Sequence, residues 1–550
     1  MVERTVVVGF DALDFEYLDA FEASLPNFSA LRKDGVEAPL RSTFPPWTAS
    51  AWPSMYTGTD PSHHGVYNFF HHEAGYRDEL VDRNRVDAPA IWNYLSALGE
   101  PTVALNVPVT HPAEPVAGAL VPGYLAHEDA TGHPEGVREE LSDAVGEPYR
   151  IYSSTETGDD GASKLDGYLD LIEMRGAAAE YLLDAYEWRV AVVQVQKTDA
   201  VFHNFDDRES FRRVYERADE LLGRVLDVAG DANVVVCSDH GIGPVDGYSV
   251  YVNELLRENG FVTAGSDVSN PTLASEKSTL TGADDADDTG TRVGSTGPRI
   301  GSTVTARAAS ASASALDAVG VTPGDVYRLA CRLGVGELLT DALPDEAVSA
   351  ASEDVDRRAS AAYCRGTELG VRVNLAGREA DGVVPPDEYE QVRDELIGLL
   401  SSLRTPEGDP VFEWVRRREA VYDGPHADRA CDVLFAPTEM NHVVRPNLVG
   451  DRFVPLDDHG HKRDGVFLAS GPAFDDDADL DRPSLTDVAP VALAAAGRDV
   501  PERMTGRVPD GLLDRPVSRA DFGDVPYGSD AVDREADGSV ERRLSDLGYI

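Results

Sequence analysis

The chain has 550 residues, with 98 Asp plus Glu against 49 Lys plus Arg, a formal net charge of −49. Apolar types make up 42%, enough for a packed core, while so negative a field excludes a broad basic face for the phosphates of a nucleic acid. No run approaches the ~18 consecutive apolar residues of a membrane-spanning helix.

The start, Met1-Val2-Glu3-Arg4 leading directly into Val6-Val7-Val8, lacks the basic and apolar regions of a secretory signal. A cytoplasmic protein is therefore expected, with its oligomeric state left open. Five lysines stand against 44 arginines, with abundant Asp and Ala. This is the composition of a halophilic globular protein kept soluble in molar salt, where self-repulsion is screened over a Debye length of about 3 Å. Cys237, Cys331, Cys364 and Cys431 are scattered and form no CxxC pair, so neither a thiolate metal site nor a disulfide framework is indicated.

Residues 6–10 form a short apolar run that ends in Asp11, the pattern of a buried parallel strand with a polar residue at its tip. The pattern returns at 192–196 before Asp199, and at 234–237 before Asp239-His240-Gly241. Helical spacing fills 166–186 and 209–229, and a late strand is expected at 465–469. Strand, polar tip, helix and strand in alternation predict an α/β sheet of doubly wound type, with ligands at the carboxyl ends of its strands.

The chain divides into a first core part at 1–262, a flexible low-complexity insertion rich in Ser, Thr, Gly, Ala and Asp at 263–318, and a lid or insertion subdomain at 319–425. A second core part at 426–515 and an acidic tail at 516–550 complete it.

Carboxylates and imidazoles without thiolates gather at the strand tips: Asp11, then Asp199 and His203 four residues apart, then Asp239 and His240, and a late His461. A helical turn over 199–203 puts Asp199 and His203 on one face. This donor set suits Zn²⁺ or Mn²⁺. Each member alone has a plainer reading, as a turn, a cap or a solvated face; the set is more specific than its parts. Thr48 follows the stiff Pro45-Pro46-Trp47 approach and begins a helix-compatible segment. A helix start offers N–H groups to a phosphate, and a threonine hydroxyl becomes a nucleophile when a metal activates it. On local evidence the same threonine serves equally as an N-cap.

The run from Thr48 through Met55-Tyr56-Thr57-Gly58-Thr59-Asp60-Pro61-Ser62-His63-His64-Gly65 resembles the type I phosphodiesterase/nucleotide pyrophosphatase branch of the alkaline phosphatase superfamily. Asp11, the Asp199…His203 pair, Ser238-Asp239-His240-Gly241 and a late His before Asp464-Gly465 fall in that family's order. The resemblance covers 1–250 and about 430–500.

It implies an alkaline-phosphatase-like central sheet, mostly parallel and sandwiched by helices, with a smaller inserted lid. It further implies two divalent metal ions, Zn²⁺ first and Mn²⁺ as the alternative. Asp11, Thr48, Asp239 and His240 would hold one, and Asp199, His203 and His461 the other, with His459 as an alternative last ligand. Thr48 would be the nucleophile, preferred over Thr43 by its distance to Thr57-Gly58. Asn68 resembles a phosphate-binding Asn, and His63 and His64 are expected to shape their loop.

The implied activity is hydrolysis of a small phosphoester through a phospho-threonine. A phosphomonoesterase, a phospho-transferase or a non-catalytic metal-stabilised binding protein are the alternatives. The sulfatase context Cys/Ser-x-Pro-x-Arg is missing around Thr48.

Overall fold

Strands buried on both faces appear in a sequence as unbroken apolar runs, and the runs of this chain assemble one seven-stranded sheet. The computed structural model describes residues 3–72, 76–155, 161–265, 280–281 and 354–528. Its central strands are β1 (Thr5–Phe10), β2 (Val36–Arg41), β3 (Thr102–Val107), β4 (Gly118–Pro122), β5 (Val190–Val195), β6 (Asn233–Cys237) and β7 (Asp464–Ser470). Their spatial order is β2-β7-β6-β1-β5-β3-β4. β1 lies parallel between β5 and β6, with Val7 opposite Val192 on one side and Val235 on the other. β3 and β4 continue the parallel set. β7 runs antiparallel to both β6 and β2. The expected mostly parallel α/β sheet is therefore what forms.

Alternation along β1 divides the core between the two faces of the sheet. Val6, Val8 and Phe10 join one apolar cluster, and Val7 joins the other. The first face is covered by α2 (Gly161–Ala185) and α4 (Arg208–Ala229). α4 turns a stripe of Phe211, Val214, Ala218, Leu221, Leu222 and Val225 inward. The Asp207 side chain starts that helix, accepting from the Ser210 N–H at 2.9 Å. The second face is covered by α1 (Thr48–Thr57) and α5 (Val488–Ala495), both buried throughout. Between α2 and α4 lies the short α3 (Lys197–Asn204), which follows β5.

A separate four-stranded antiparallel sheet takes Ala362–Arg365, Gly370–Val373, Val433–Pro437 and Phe412–Arg417 in that spatial order. It has its own apolar cluster, to which the helix Tyr389–Ser401 contributes Leu396 and Leu400. The sheet continues past residue 425, because Val433–Pro437 pairs with strands on both sides. Of the expected 263–318 insertion only 263–265 and 280–281 are described, and 319–353 and 529–550 lie outside the described residues. The insertion sheet meets the core at the approach to α1. Phe44 lies 5.0 Å from Trp414, ring centre to ring centre, and its carbonyl accepts the Tyr422 hydroxyl at 2.6 Å. Among the described residues no helix is long and apolar enough to cross a membrane.

Candidate metal centre

Five strand ends deliver side chains to one edge of the central sheet. β1 ends at Phe10 and presents Asp11, β5 leads through Gln196 into α3 with Asp199 and His203, and β6 ends at Cys237 before Asp239 and His240. β2 leaves the same edge towards Thr48. Because β7 is antiparallel, it is the beginning of that strand, just after His461, that reaches this edge.

Two groups of donor atoms form there. In the first, Asp199 Oδ1 lies 3.2 Å from His203 Nε2 and 3.5 Å from His461 Nε2, and the two imidazole nitrogens stand 3.2 Å apart. In the second, Asp11 Oδ1 lies 3.4 Å from Thr48 Oγ1 and 3.5 Å from His240 Nε2, and Asp239 Oδ2 is 3.3 Å from that same nitrogen. The groups adjoin: Asp11, Asp199 and His240 also bring donor atoms within 4.8 Å of one another. The His240 and His461 rings stack at 3.8 Å. Asp11, Asp239 and His240 are wholly buried, whereas the His203 side chain is 42% exposed, so the centre opens to solvent on the first group's side.

The structure places Thr48 as the first residue of α1. The N-cap position falls on Trp47, which makes no side-chain cap bond, and the Thr48 hydroxyl points at Asp11. No hydrogen bond joins Thr43 to the centre among the described residues.

The strand Asp458–Lys462 pairs antiparallel with Gly241–Val245 and sets His461 opposite Ile242. That register puts His461 beside His240. His459, two residues or about 6.6 Å along the strand, lies instead against the rings of Tyr17, Phe202 and Phe211. Gly241 is required at the start of this pairing, because a Cβ there would overlap the Asp464 carbonyl.

Asn68 Nδ2 donates to Glu368 Oε1 at 3.0 Å and its Oδ1 accepts from Phe70 N at 2.6 Å, and no hydrogen bond joins it to this centre among the described residues. Glu368, on the insertion, takes one of the two Asn68 amide N–H groups. His64 is buried between Ser54 Oγ at 2.9 Å and the Val66 N–H at 3.3 Å, and His63 Nδ1 pairs with Asp60 at 2.9 Å; both belong to the loop after α1.

Several positioning groups escaped the sequence reading. Trp52 Nε1 and Gln194 Nε2 both donate to Asp11 Oδ2, at 3.3 and 3.2 Å, leaving Oδ1 to face Thr48 and His240. Asn106 Nδ2 in turn donates to Gln194 Oε1 at 2.8 Å. The Trp52 indole lies so close to the sheet that a Cβ on Gly9 would overlap it. Gln194 carried a signal, being the one polar side chain in an otherwise apolar, buried strand; Trp52, on an all-buried helix, carried none.

The charges of this centre are unbalanced. Burial, reinforced by the carboxylates of Asp239 and Asp199, holds Asp11 well above the usual carboxylate range. Burial likewise raises Asp239, with Asp199 adding to the effect. Burial opposes ionisation of Asp199 too, but His203 and His461 outweigh it and hold that carboxyl well below its usual value. Burial, then His461, pushes His240 down and keeps it neutral.

Asp199 Oδ1, Asp239 Oδ2 and His240 Nε2 are buried atoms that make no hydrogen bond among the described residues. His240 Nδ1 faces the Gly241 carbonyl at 3.1 Å, and His461 Nδ1 faces the Pro46 carbonyl at 3.0 Å. Each of those bonds assigns the ring proton to Nδ1 and aims the Nε2 lone pair inward. Carboxylate oxygens and imidazole Nε2 atoms converging in this way fit divalent cations.

A mostly parallel α/β sheet with such a centre at the carboxyl ends of its strands defines a protein of alkaline-phosphatase-like architecture. Residues 5–321 match the family described as type I phosphodiesterase / nucleotide pyrophosphatase, and the chain belongs to that family. Among solved structures it is similar to phosphonoacetate hydrolase from Sinorhizobium meliloti 1021 bound to phosphonoacetate, at 16% identity and TM-score 0.55, over 90% of this chain and 96% of that one. The same enzyme bound to phosphonoformate matches with TM-score 0.53. A murine ectonucleotide pyrophosphatase / phosphodiesterase 5 in an inactive form with AMP matches at 12% identity and TM-score 0.47, over 94% and 97% of the two chains. No curated protein matches significantly.

Proposed function

We propose that this protein is a two-metal phosphoester hydrolase that prefers phosphodiesters and works through a covalent phospho-threonine at Thr48. The observation that carries this reading is the convergence of Thr48 and Asp11 with His240, beside the Asp199, His203 and His461 group.

Asp11, Thr48, Asp239 and His240 would hold one cation, and Asp199, His203 and His461 the other, Zn²⁺ first and Mn²⁺ second. When bound, the pair would supply charge stabilisation to attacking and leaving oxygens and lower the pKa of a hydroxyl. The protein's own groups set the geometry. Trp52 and Gln194 orient Asp11, whose Oδ1 fixes the Thr48 hydroxyl at the start of α1. The first N–H groups of that helix face the substrate edge, where they suit phosphate oxygens.

In the first step the Thr48 Oγ–P bond forms, the ester P–O bond breaks, and the leaving oxygen takes up a proton. In the second step water attacks phosphorus, the Oγ–P bond breaks and the Thr48 hydroxyl returns. Two inversions give net retention at phosphorus. In this reading Asn68, whose Nδ2 gives one of its two N–H groups to Glu368, offers the other to a phosphate oxygen. The acidic, lysine-poor surface supports a cytoplasm of molar salt as the working environment.

The test is acid-quench mass spectrometry of the metal-loaded chain during turnover of bis-p-nitrophenyl phosphate. A phosphoryl adduct on the peptide carrying Thr48 is expected. Turnover with no adduct on that peptide at any quench time would assign the attack to water and overturn the reading.

A further inference from the structure

Where the core meets the insertion sheet there is a cavity of about 220 Å³. Its wall carries four arginines, Arg365, Arg372, Arg378 and Arg429, together with His71 and His72, against two carboxylates, Glu368 and Asp428. In a chain with twice as many acidic as basic residues, the lining itself holds more arginines than carboxylates. Carboxylates outside the lining hold the guanidinium groups in place. Glu379 accepts from Arg372 Nε at 2.9 Å, Asp432 from Arg378 Nη1 at 2.6 Å, and Asp87 pairs with Arg429 at 2.6 Å.

Two buried atoms of these wall residues have no aligned hydrogen-bond partner. The side chains of His72 and Arg365 are only 6% and 7% exposed, yet His72 Nε2 and Arg365 Nη1 make no hydrogen bond among the described residues. His72 Nε2 is 3.8 Å from Glu379, too far, and Arg365 Nη1 is 2.7 Å from Glu368 without hydrogen-bond alignment. Buried polar atoms without aligned partners are costly, and the residues that carry these two line the cavity.

We propose that this cavity is a binding site for a small phosphate-bearing anion. Planar guanidinium forks match phosphate oxygens. The volume lies below the roughly 300–1,000 Å³ of pockets that take drug-sized molecules, so a phosphate with a small remainder fits and a whole nucleotide does not. None of Asp11, Thr48, Asp199, His203, Asp239, His240 and His461 lines it. It does touch the elements beside the metal centre: Glu368 on its wall accepts from Asn68, and the neighbouring Thr367 carbonyl accepts from Trp47, next to Thr48. The occupant is either free phosphate or the remote phosphate end of a substrate.

The experiment is calorimetric titration of the full-length, metal-loaded chain with inorganic phosphate in molar KCl, for wild type, Asp199→Asn, Arg429→Ala and His72→Gln. Arg429, with its side chain 36% exposed, is the substitution least tied to folding, and thermal melts check both cavity variants. Two phosphates per chain are expected. Asp199→Asn should remove one, and each cavity variant should weaken the other by about tenfold or more. Loss confined to the cavity variants, with Asp199→Asn unchanged, would uphold this site while counting against the hydrolase reading. A single phosphate removed by Asp199→Asn and untouched by the cavity variants would overturn the proposal.

Steady-state kinetics separate the two sources. A KM that rises in Arg429→Ala for ATP but not for bis-p-nitrophenyl phosphate assigns the cavity to the remote end of substrate. Both KM values holding while phosphate affinity falls assigns it to free phosphate.

Discussion

His461 Nδ1 faces the carbonyl oxygen of Pro46 at 3.0 Å, two residues before Thr48. That contact ties the late strand at residues 458–462 to the loop that launches α1, so the two groups of donor atoms are held relative to each other through a residue of the first and a backbone of the second. The Trp47 ring adds to the tie, 5.0 Å from that of His461. The centre is therefore assembled by the sheet edge and locked across it.

His461 and His459 can be told apart by metal content. His461→Ala removes one of the three donors of the group Asp199, His203 and His461 and should leave about one metal equivalent per chain. Diester turnover should fall by roughly 100-fold or more, beyond what loss of a supporting outer contact costs. His459→Ala removes only an imidazole packed among aromatic rings and should keep both metals. Metal analysis of the two purified variants checks this; equal losses would contradict the assignment.

Trp52→Phe isolates a positioning contact. The substitution keeps most of the ring bulk but deletes the N–H that donates to Asp11 Oδ2. The metal stoichiometry should hold, while kcat for diesters falls about tenfold, the lower range for loss of a supporting contact at a metal centre. Activity within twofold of wild type would show that Gln194 alone orients the carboxylate.

His64 makes a prediction about acid stability. The ring is fully buried, and burial pushes its pKa down from 6.5 to about 3. The unfolded chain takes up this proton near pH 6.5 and the native chain only near pH 3, so the unfolded state binds more protons between those values. The stabilising contribution is complete above pH 6.5 and is lost as pH falls towards 3, by about 1.4 kcal/mol per pH unit. His64→Gln removes the titration. Denaturant unfolding at pH 7, 6 and 5 in molar KCl should show the gap between wild type and variant narrowing as the pH drops. A constant gap would contradict the burial argument.

What the sequence made legible follows from what periodicity and polar punctuation encode. β1 and β6 were legible because a strand buried on both faces is an apolar run, and because Asp11, Asp239 and His240 interrupt it at the tip. Asp199 and His203 were legible as a pair because α3 sets residues four apart on one face. Strand direction is not written locally, so nothing in residues 464–470 announced that β7 runs antiparallel. The choice between His459 and His461 depends on register with Gly241–Val245, a pairing across more than 200 positions.

Asn68 illustrates the same limit: its resemblance to a phosphate-binding Asn is a local feature, but its partner Glu368 lies 300 residues away on the insertion. Trp52 was hidden because an indole inside an all-buried helix looks like any core residue until its N–H is seen to reach Asp11.

The central claim is that Thr48 is the attacking group of a diester hydrolase, and hydrolysis of bis-p-nitrophenyl phosphate beside p-nitrophenyl phosphate tests it most directly. The assay uses molar KCl with Zn²⁺ or Mn²⁺, for wild type and Thr48→Ala. The account predicts a preference for the diester in wild type and a loss of roughly 10³-fold or more in the variant, as expected when a covalent nucleophile is removed. A variant that matches wild type on both substrates would contradict it.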